Sequence, residues 1–463
     1  KRYAEALALH RNRNPFASVC ARVCFHACED KCRRGSLDEA VAIRGVKRFM
    51  AEQEVTVQLP SVQDNEENAR RKIAIIGAGP AGLSCAYFLA RLGYRPKVFE
   101  AESQPGGMLV QAIPAYRLPR QELAREIRMI ERLGVDIELN MRLGRDFTLE
   151  SLRKDGYEAV FLAVGAPQGS KLGIPGEEAD GVVDALRFLR EYNVRGTAQV
   201  GKNVVVIGGG NSAIDAARTA IRLGAESVTV LYRRTRAEMP AFAEEIDEAE
   251  HEGVRIATLV APLEVVQKNG KVTGLKCRHM VLGEFDRSGR RRPVDGKDED
   301  FIVPADMIIA GIGQKLDTAE IFNGQALKVN RSGFIAADRI TGQTSVPWIY
   351  AGGDAAVGPW SVVGAIADGE KAAVAIDKML TGAEHAFWRE NQQPDTEFDP
   401  DADPVQYPRA KQAMIPVSKR KNNFQEVELS WSEAVARREA KRCLRCDYRA
   451  PAGSEGKVPP CKQ

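Results

Sequence analysis

The chain has 463 residues, which is enough for about three domains with their own hydrophobic cores. Its 66 lysines and arginines nearly balance its 63 aspartates and glutamates and are scattered, which argues against a surface for nucleic acid or for an anionic membrane. Hydrophobic residues make up 44% of the chain but never form an uncharged run long enough to span a bilayer, so we expect a cytoplasmic protein.

The nine cysteines are distributed unevenly along the chain. Four lie within residues 20–32 and three within residues 443–461, whereas only Cys85 and Cys277 lie between them. We expect these two to be buried packing residues. The first residues already have a helical pattern and include no initiating methionine, so we also expect further sequence before Lys1.

The first cysteine cluster has the spacing C-x3-C-x3-C-x3-C. Its members are Cys20, Cys24, Cys28 and Cys32. On one continuous helix the four thiols would be spread too far apart for one metal cluster. We therefore expect a wrapped loop, or thiols divided between two sites. Zinc stays open as an alternative to iron–sulfur, whereas disulfides are disfavoured because no export signal is visible. An amphipathic helix is predicted over 38–51 and a polar linker over 54–70.

Two glycine-rich turns follow, each between a predicted strand and a predicted helix. In the first, the strand at 72–77 runs into GAGPAG. Gly77, Gly79 and Gly82 allow a sharp turn and a close approach of a pyrophosphate to the helix N-terminus. Glu100 ends the next strand, where a carboxylate can bind the ribose hydroxyls of an adenosine. A bound dinucleotide is therefore predicted.

The second turn, GGGNSA, follows the strand at 203–208. Gly208, Gly210 and Ala213 form its cradle, but the next strand ends without an acid. The pair Arg233 and Arg234 stands there instead. An arginine fork suits the 2′-phosphate of NADP, which an acid would repel. NADP is favoured, and NAD stays open if these arginines only form a solvated face.

The remaining sequence predicts a β-meander, a third nucleotide-binding segment and a tether. Residues 262–303 alternate as strands and include a charged loop. A strand at 344–354 ends in Gly-Gly-Asp before a helix of small residues at 361–380. The ribityl and pyrophosphate groups of a flavin dinucleotide would rest at the N-terminus of this helix, so this segment and the first turn would form one split FAD domain.

The last part of the chain carries the second cysteine group. Residues 384–412 are acidic and proline-rich, as in an extended tether. Ser430-x-x-Glu433 then predicts a capping box that opens a helix ending just before Cys443 and Cys446.

Together these motifs resemble those of the NADPH-dependent glutamate synthase small chain. The resemblance rests on GAGPAG with Glu100, PGGMLVQAIPAYRLP at 105–119, FLAVG at 161–165, GGGNSAIDAA, YRRTRAEMPA and the final AGGD. The chain is equally similar to the matching parts of dihydropyrimidine dehydrogenase and of the large subunit of ferredoxin-dependent NADP transhydrogenases. The resemblance covers about residues 10–380.

The resemblance implies binding residues for two nucleotides. The implied FAD contacts are Gly79, Gly82, Glu100, Met108, Arg117 and Asp354. The implied NADP contacts are Gly210, Asn211, Arg233, Arg234, Gly311, Ile312 and Gly313. The same motifs add Gly77, Pro80, Ala81, Gly107, Gly165, Gly353 and Val362 to the first site and Gly208 and Ser212 to the second. No side chain is predicted to act as an acid, base or nucleophile, because the chemistry belongs to the cofactors.

The resemblance also implies two 4Fe-4S clusters in the N-terminal domain. Three ligands of that family match Cys24, Cys28 and Cys32. Two departures are visible. Phe25 stands where the family has proline, and Lys47 and Arg48 stand where some relatives supply a glutamine ligand. Cys20 is a candidate for that vacancy.

The C-terminal run ARREAKRCLRCDYR resembles a segment that precedes the flavin domain in that family. Cys443, Cys446 and Cys461 offer three thiolates, and a fourth could come from Cys32 or from sequence before residue 1. The seven end cysteines are one short of the eight that two four-thiolate clusters need. An eighth thiolate elsewhere, a non-cysteine ligand and a single complete cluster all stay open, as does an exposed tail without metal.

We therefore predict an α/β fold of two Rossmann-type domains, with the FAD domain split around the NAD(P) domain. A helical iron–sulfur domain precedes them and a cysteine-bearing extension follows. The predicted boundaries are 1–54 for the iron–sulfur domain, 70–195 and 330–382 for the FAD domain, 196–329 for the NAD(P) domain and 383–463 for the tether and C-terminal segment.

The predicted function is an NAD(P)H-dependent FAD and 4Fe-4S oxidoreductase subunit. It would move hydride between pyridine nucleotide and FAD and pass single electrons through the clusters to or from a partner. We expect a larger hetero-oligomeric complex with a substrate-converting or ferredoxin-type partner. Two alternatives stay open: a stand-alone or electron-bifurcating NAD(P)H:ferredoxin reductase, and a non-catalytic cluster-bearing scaffold or electron wire.

Overall fold

The computed structural model describes residues 1–54, 56–286, 289–322, 327–390 and 403–446. Two sequence predictions therefore lie outside the described residues, namely Cys461 as a ligand and residues 391–402 of the tether. The helices are α1 Tyr3–Arg11, α2 Ala17–Val23, α3 Ala27–Asp30, α4 Ile43–Glu52, α5 Glu66–Arg70, α6 Pro80–Arg91, α7 Met108–Gln111, α8 Arg120–Glu131, α9 Leu149–Lys154, α10 Ala185–Arg195, α11 Asn211–Arg222, α12 Ala243–His251, α13 Thr318–Phe322, α14 Asp354–Val357, α15 Val362–Thr381 and α16 Glu433–Ala440.

The strands are β1 Ile73–Ile76, β2 Lys97–Phe99, β3 Asp136–Glu138, β4 Ala159–Leu162, β5 Gln168–Gly169, β6 Val182–Asp184, β7 Asn203–Ile207, β8 Ser227–Tyr232, β9 Arg255–Thr258, β10 Val260–Lys268, β11 Lys271–Phe285, β12 Arg291–Asp295, β13 Phe301–Pro304, β14 Met307–Ala310, β15 Gln314–Lys315 and β16 Ile349–Ala351. Most of them belong to two parallel sheets and one antiparallel sheet, and β5 pairs separately with β15.

The first parallel sheet has the strand order β16-β4-β1-β2-β3. All four residues of β1 are buried, as expected for a parallel strand that is covered on both faces. Helix α6 begins at Pro80, a favoured first helical residue. It packs against α15 where Gly369 meets the carbonyl of Ala81 so closely that no side chain would fit. A C-terminal strand and helix thus complete the first nucleotide-binding unit.

The second parallel sheet has the strand order β6-β14-β7-β8-β9. Strand β6 pairs with β14, so it belongs to this sheet together with the helix α10 that follows it. The boundary predicted at residue 195 therefore falls inside the second unit. Three residues of strand are too few to produce a hydrophobic pattern, and this pairing depends on a partner strand more than a hundred residues later.

The antiparallel sheet lies between β9 and β14 in sequence. Strand β11 pairs with β10, β12 and β13, as the predicted meander requires. Parallel sheets flanked by helices and this meander give the predicted α/β class. In the described part of the chain, no helix combines the length and the apolar character needed to cross a membrane.

The N-terminal helices pack directly on the first unit. Phe16 and Val19, from the start of the helix that carries Cys20, share one buried cluster with Ile75 and Leu83. The predicted helix over 38–51 begins later, at Ile43, because the segment before it turns back so that Val41 N–H donates to Cys32 Sγ over 3.5 Å.

The C-terminal segment returns to the N-terminal helices. The Glu439 carboxylate accepts hydrogen bonds from the backbone N–H groups of Ala42 and Ala410, at 2.8 and 2.7 Å. Trp431 packs against Gly45 without room for a side chain there. The cap predicted at Ser430 is wrong, since Ser432 caps α16 by accepting from Val435 N–H.

Candidate functional site

The first glycine turn, residues 77–82, connects β1 to α6 and is called the first cradle. Gly77 has a φ of 106°, and a Cβ there would lie 2.5 Å from the carbonyl oxygen of Ala163. The Glu100 carboxylate accepts hydrogen bonds from Ala78 N–H at 2.7 Å and from Glu102 N–H at 3.0 Å. Burial raises the pKa of Glu100. The backbone therefore fixes this carboxylate beside the first cradle, as the sequence predicts.

Two more glycine turns meet the first cradle. A Cβ on Gly107 would lie 2.9 Å from Gly79 Cα, and a Cβ on Gly353 would lie 2.9 Å from Ala81 Cβ. Both glycines have positive φ angles, 53° and 59°, which disfavour other residues. Because only glycine fits, bare backbone lines the junction. A bare backbone is what close approach of a pyrophosphate needs, so the first cradle fits FAD.

The other predicted first-site residues lie in turns and at the starts of helices. Asp354 begins α14, and burial raises its pKa to about 6. Val362 begins α15, whose cap Ser361 accepts from Gly364 N–H. Gly165 follows β4 with a φ of 69°. Met108 begins α7 and packs against the core of the second sheet, so it lies between the two units.

Arg117 lies at the same boundary but points to acidic residues of the second unit. Its Nη1 lies 2.8 Å from Asp215 Oδ2, and its Nε lies 3.0 Å from Glu245 Oε1. Both carboxylates are held by helices that follow the second glycine turn. Arg117 thus joins the two units, and its contact with FAD stays a prediction.

The second glycine turn, residues 208–213, is called the second cradle. Gly208 has a φ of 139°, and a Cβ on Gly311 would lie 2.8 Å from Ala213 Cβ. The turn at residues 311–313 therefore passes directly over the start of α11. Asn211 and Ser212 form the first turn of this helix. The Asn211 side chain accepts from Phe242 N–H at 3.2 Å.

The predicted arginine fork is wrong in its second member. Arg234 is buried, with its Nη2 at 2.8 Å from Asp286 and its Nε donating to the carbonyl of Arg291. It anchors the meander instead of facing the second cradle. Arg233 is exposed at the end of β8 and stays the candidate for a 2′-phosphate.

The first three cysteines form one group around Lys47. Cys20 is buried in α2, which raises its pKa to about 12. The helix stops at Val23, and His26 adopts a left-handed φ of 46° and donates its N–H to Cys24 Sγ. Burial raises the pKa of the Cys28 thiol, the Cys24 thiol raises it further, and the charge of Lys47 lowers it. The cysteines therefore do not lie on one continuous helix, and the chain turns between Cys24 and Cys28 as the predicted wrapped loop requires.

The second group combines both ends of the chain. Burial raises the pKa of Cys446, and the nearby thiols of Cys443 and Cys32 raise it further. Arg34, next to this group, donates to the carbonyl of Arg442. Cys32 therefore lies near the C-terminal thiols.

The available donors around the two groups are thiols. All eight described cysteines are free thiols, and Cys85 and Cys277 are buried as predicted. Within the described ranges, no three cysteine, histidine or acidic side chains converge on a position suited to a single metal ion. Soft thiol donors are the ligand type that a 4Fe-4S cluster takes, so the donor chemistry of the two thiol groups fits this cofactor.

Sequence reasoning missed three residues at this site: Asp215, Phe242 and Trp360. Asp215 lies inside the GGGNSAIDAA motif, and Phe242 follows YRRTRAEMPA directly. For Asp215 and Phe242, the position within or directly after a motif was the available signal. Their contacts depend on the packing of the two units.

Two family models match the chain. Residues 71–369 match the pyridine nucleotide-disulphide oxidoreductase family, and residues 1–59 match dihydropyrimidine dehydrogenase domain II, 4Fe-4S cluster. Among solved structures, FprA of Mycobacterium tuberculosis in complex with NADPH has a TM-score of 0.58 at 21% identity over 67% of this chain and 85% of FprA. Thioredoxin reductase of Lactococcus lactis has a TM-score of 0.53 at 23% identity over 68% of this chain and 100% of its own. These two support the fold.

Three curated proteins are more similar in sequence. The beta subunit of the NADP(+)-dependent formate dehydrogenase of Moorella thermoacetica is 43% identical, over 96% of this chain and 67% of its own length. The beta subunit of the NADPH-Fe(3+) oxidoreductase of Geobacter sulfurreducens is 38% identical, over 96% and 71%. The glutamate synthase [NADPH] small chain of Escherichia coli is 37% identical, over 82% and 84%.

Proposed function

Because this chain belongs to the pyridine nucleotide-disulphide oxidoreductase family and carries a 4Fe-4S domain of the dihydropyrimidine dehydrogenase type, we propose that it is the electron-transfer subunit of an NADPH-linked redox complex. The resemblance, the enzyme class and the cofactors FAD, NAD(P) and 4Fe-4S, all predicted from the sequence, are confirmed at the level of the family. The residue assignments below are part of the proposal, and the cytoplasmic location stays a prediction.

We assign FAD to the first cradle. Gly77, Gly79 and Gly82 would admit its pyrophosphate to the N-terminus of α6, and Glu100 would accept from the adenosine ribose. The glycine-only approach of Gly107 and Gly353 supports this assignment. When bound, FAD exchanges a hydride with pyridine nucleotide and single electrons with iron–sulfur clusters.

We assign NADP to the second cradle. Gly208 and Gly210 would receive the pyrophosphate at the start of α11, and Arg233 would pair with the 2′-phosphate. The names of the two most similar relatives quoted above include NADP or NADPH, which supports this nucleotide over NAD.

One observation carries the proposed electron path. The helix that bears Cys20 shares a single buried core with β1 and α6 of the first cradle. Glu126, in α8 of the same unit, accepts from the N–H groups of Ser18 and Val19 at the start of that helix. The helix that bears Cys20 and the first cradle therefore belong to one packed body, in which electrons need not cross a solvent gap.

A partner protein is part of the proposal. The relatives named above are beta subunits and a small chain, so we expect this chain to act with at least one further subunit. The partner would be a substrate-converting or ferredoxin-type protein.

The test is an anaerobic titration of the purified full chain with NADPH, followed by absorbance spectroscopy. We expect the bleaching of a flavin spectrum and then of the broad iron–sulfur absorbance. A flavin that stays oxidised would leave only the alternative of a non-catalytic scaffold. Electron delivery to added ferredoxin without another subunit would favour the stand-alone reductase.

A further inference from the structure

Phe25 occupies the position where the resemblance leads us to expect a proline, in the loop between Cys24 and Cys28. Its ring is stacked with that of Phe242, with centroids 6.1 Å apart and an interplanar angle of 23°. It also meets Trp360 edge to face, with centroids 6.4 Å apart at 72°. One aromatic side chain of the cysteine loop thus contacts both nucleotide-binding units.

Each of these two aromatic partners is hydrogen-bonded to a predicted nucleotide-site residue. Phe242 N–H donates to Asn211 Oδ1 at the second cradle. Trp360 N–H donates to Asp354 Oδ1, at 3.2 Å, in the turn that meets the first cradle. One residue therefore separates Phe25 from Asn211 of the second cradle and from Asp354 beside the first cradle.

The backbone turns directly after Phe25 and back toward the Cys24 thiol. The left-handed His26 turns the chain so that its N–H donates to Cys24 Sγ at 3.4 Å. His26 also lies 4.0 Å from Glu244, two residues after Phe242. A displacement of Phe242 would therefore be transmitted to the cysteine loop through two contacts, that of Phe242 with Phe25 and that of Glu244 with His26.

We propose that Phe25 is a positioning residue through which NADP binding at the second cradle and the cysteine loop influence each other. The inference rests on the proposed function, since it takes the two cradles as the sites of NADP and FAD. When NADP occupies the second cradle, it displaces Asn211 and hence Phe242. The Phe25 ring, which is stacked on Phe242, transmits this displacement to the loop next to Cys24. Because such coupling is reciprocal, a change in the loop alters NADP affinity equally.

The first test measures the affinity of the full chain, loaded with FAD and clusters, for NADP⁺ by calorimetry. We expect Phe25→Leu and Phe242→Leu each to raise Kd about 3-fold to 10-fold, the range expected of one aromatic contact. The double variant should be no weaker than either single variant, since both remove the same contact. Phe25→Tyr keeps the ring and should keep the wild-type Kd, which separates this role from a general folding defect.

The second test reads the cluster by electron paramagnetic resonance of the dithionite-reduced protein. Addition of NADP⁺ should change the cluster signal of the wild type and of Phe25→Tyr but not that of Phe25→Leu. Phe387→Leu is the matched control, because Phe387 packs on Trp388 with centroids 5.3 Å apart, and it should leave both readouts unchanged. The inference would be overturned by an unchanged Kd in Phe25→Leu or by additive losses of NADP⁺ affinity in the double variant. It would also be overturned if NADP⁺ did not change the cluster signal of the wild type. Failure of the proposed function is a different result, namely no NADP⁺ binding or no flavin in the wild type.

Discussion

The guanidinium of Arg117 lies 2.8 Å from the carboxylate of Asp215, and this ion pair joins the two Rossmann-type units. Arg117 lies between α7 and α8, beside the first sheet, whereas Asp215 lies in α11 of the second cradle. Both side chains are largely buried, and Glu245 adds a second carboxylate to the same arginine. The contact therefore helps to fix the position of one cradle relative to the other.

Replacement of Arg117 by methionine tests this bridge. The variant leaves the Asp215 carboxylate buried without its ion-pair partner, whereas Glu245 keeps its ion pair with Arg218. Breaking a buried pair from one side costs about 3–5 kcal/mol. We expect an apparent Tm several degrees below the wild type and slower flavin reduction by NADPH in stopped-flow measurements. Arg142→Met, which removes a half-exposed partner of Glu102, should change neither. A wild-type Tm for Arg117→Met would show that the bridge does not stabilise the fold.

The choice of pyridine nucleotide should depend on Arg233. Arg233→Glu places a negative charge where the 2′-phosphate of NADP is proposed to bind, so KM for NADPH should rise about tenfold or more. KM for NADH should change little, because NADH has no phosphate there. Steady-state kinetics with both nucleotides and an artificial electron acceptor measure the difference.

Arg234→Ala is the matched control for that prediction. Its guanidinium pairs with Asp286 in the meander, so its loss should lower the apparent Tm without discriminating between the two nucleotides. Equal loss of NADPH and NADH use in Arg233→Glu would remove the argument for a phosphate contact.

The two cradles could be predicted from sequence because local geometry dictates them. Gly77 and Gly208 have φ angles of 106° and 139°, which favour glycine strongly, and each follows a run of buried β-branched or aliphatic residues. Strand β6 could not be predicted, since three residues give no periodicity. The pairing of Arg234 could not be predicted because its partner Asp286 lies 52 positions away, directly after strand β11 of the meander.

The arrangement of the thiols could likewise be predicted from the sequence only in part. The spacing of the first four cysteines rules out one site on a continuous helix. It does not predict which of the four thiols lies near the C-terminal cysteines. The structure places Cys32 near Cys443 and Cys446 because α16, which precedes these two cysteines, lies against the N-terminal helices. That contact depends on the tertiary fold of nearly the whole chain.

This division predicts two classes of cysteine variants. Cys32→Ser and Cys443→Ser should abolish the same cluster signal in electron paramagnetic resonance, whereas Cys24→Ser and Cys28→Ser should abolish a different one. Iron and acid-labile sulfide should fall by about half in each class, because each variant removes one of two clusters. Cys277→Ser, a buried cysteine of the meander, should keep the full content. Zinc in place of iron, or loss of one common signal in all four variants, would contradict the division.

A buried carboxylate holds the cysteine-bearing helix α2 on α8. Glu126 is 1% exposed and accepts from the N–H groups of Ser18 and Val19 at 2.6 and 3.0 Å. Burial raises its pKa to about 7, although these two hydrogen bonds and the charges of Arg11 and Arg125 oppose the shift. The usual glutamate pKa is about 4.3, so between that pH and about 7 the folded chain binds more protons than the unfolded chain.

Stability should therefore fall as pH rises through this window, and Glu126→Gln should remove that slope. The amide cannot ionise, but it supplies one acceptor oxygen instead of two, so the variant should be less stable at pH 5 and should lose less between pH 5 and pH 7. Thermal unfolding in buffers of equal ionic strength measures both effects. Glu131→Gln, at the exposed end of the same helix, should keep the wild-type slope. A wild-type slope in Glu126→Gln would mean that another group sets the pH dependence and that the contact between α8 and α2 does not titrate.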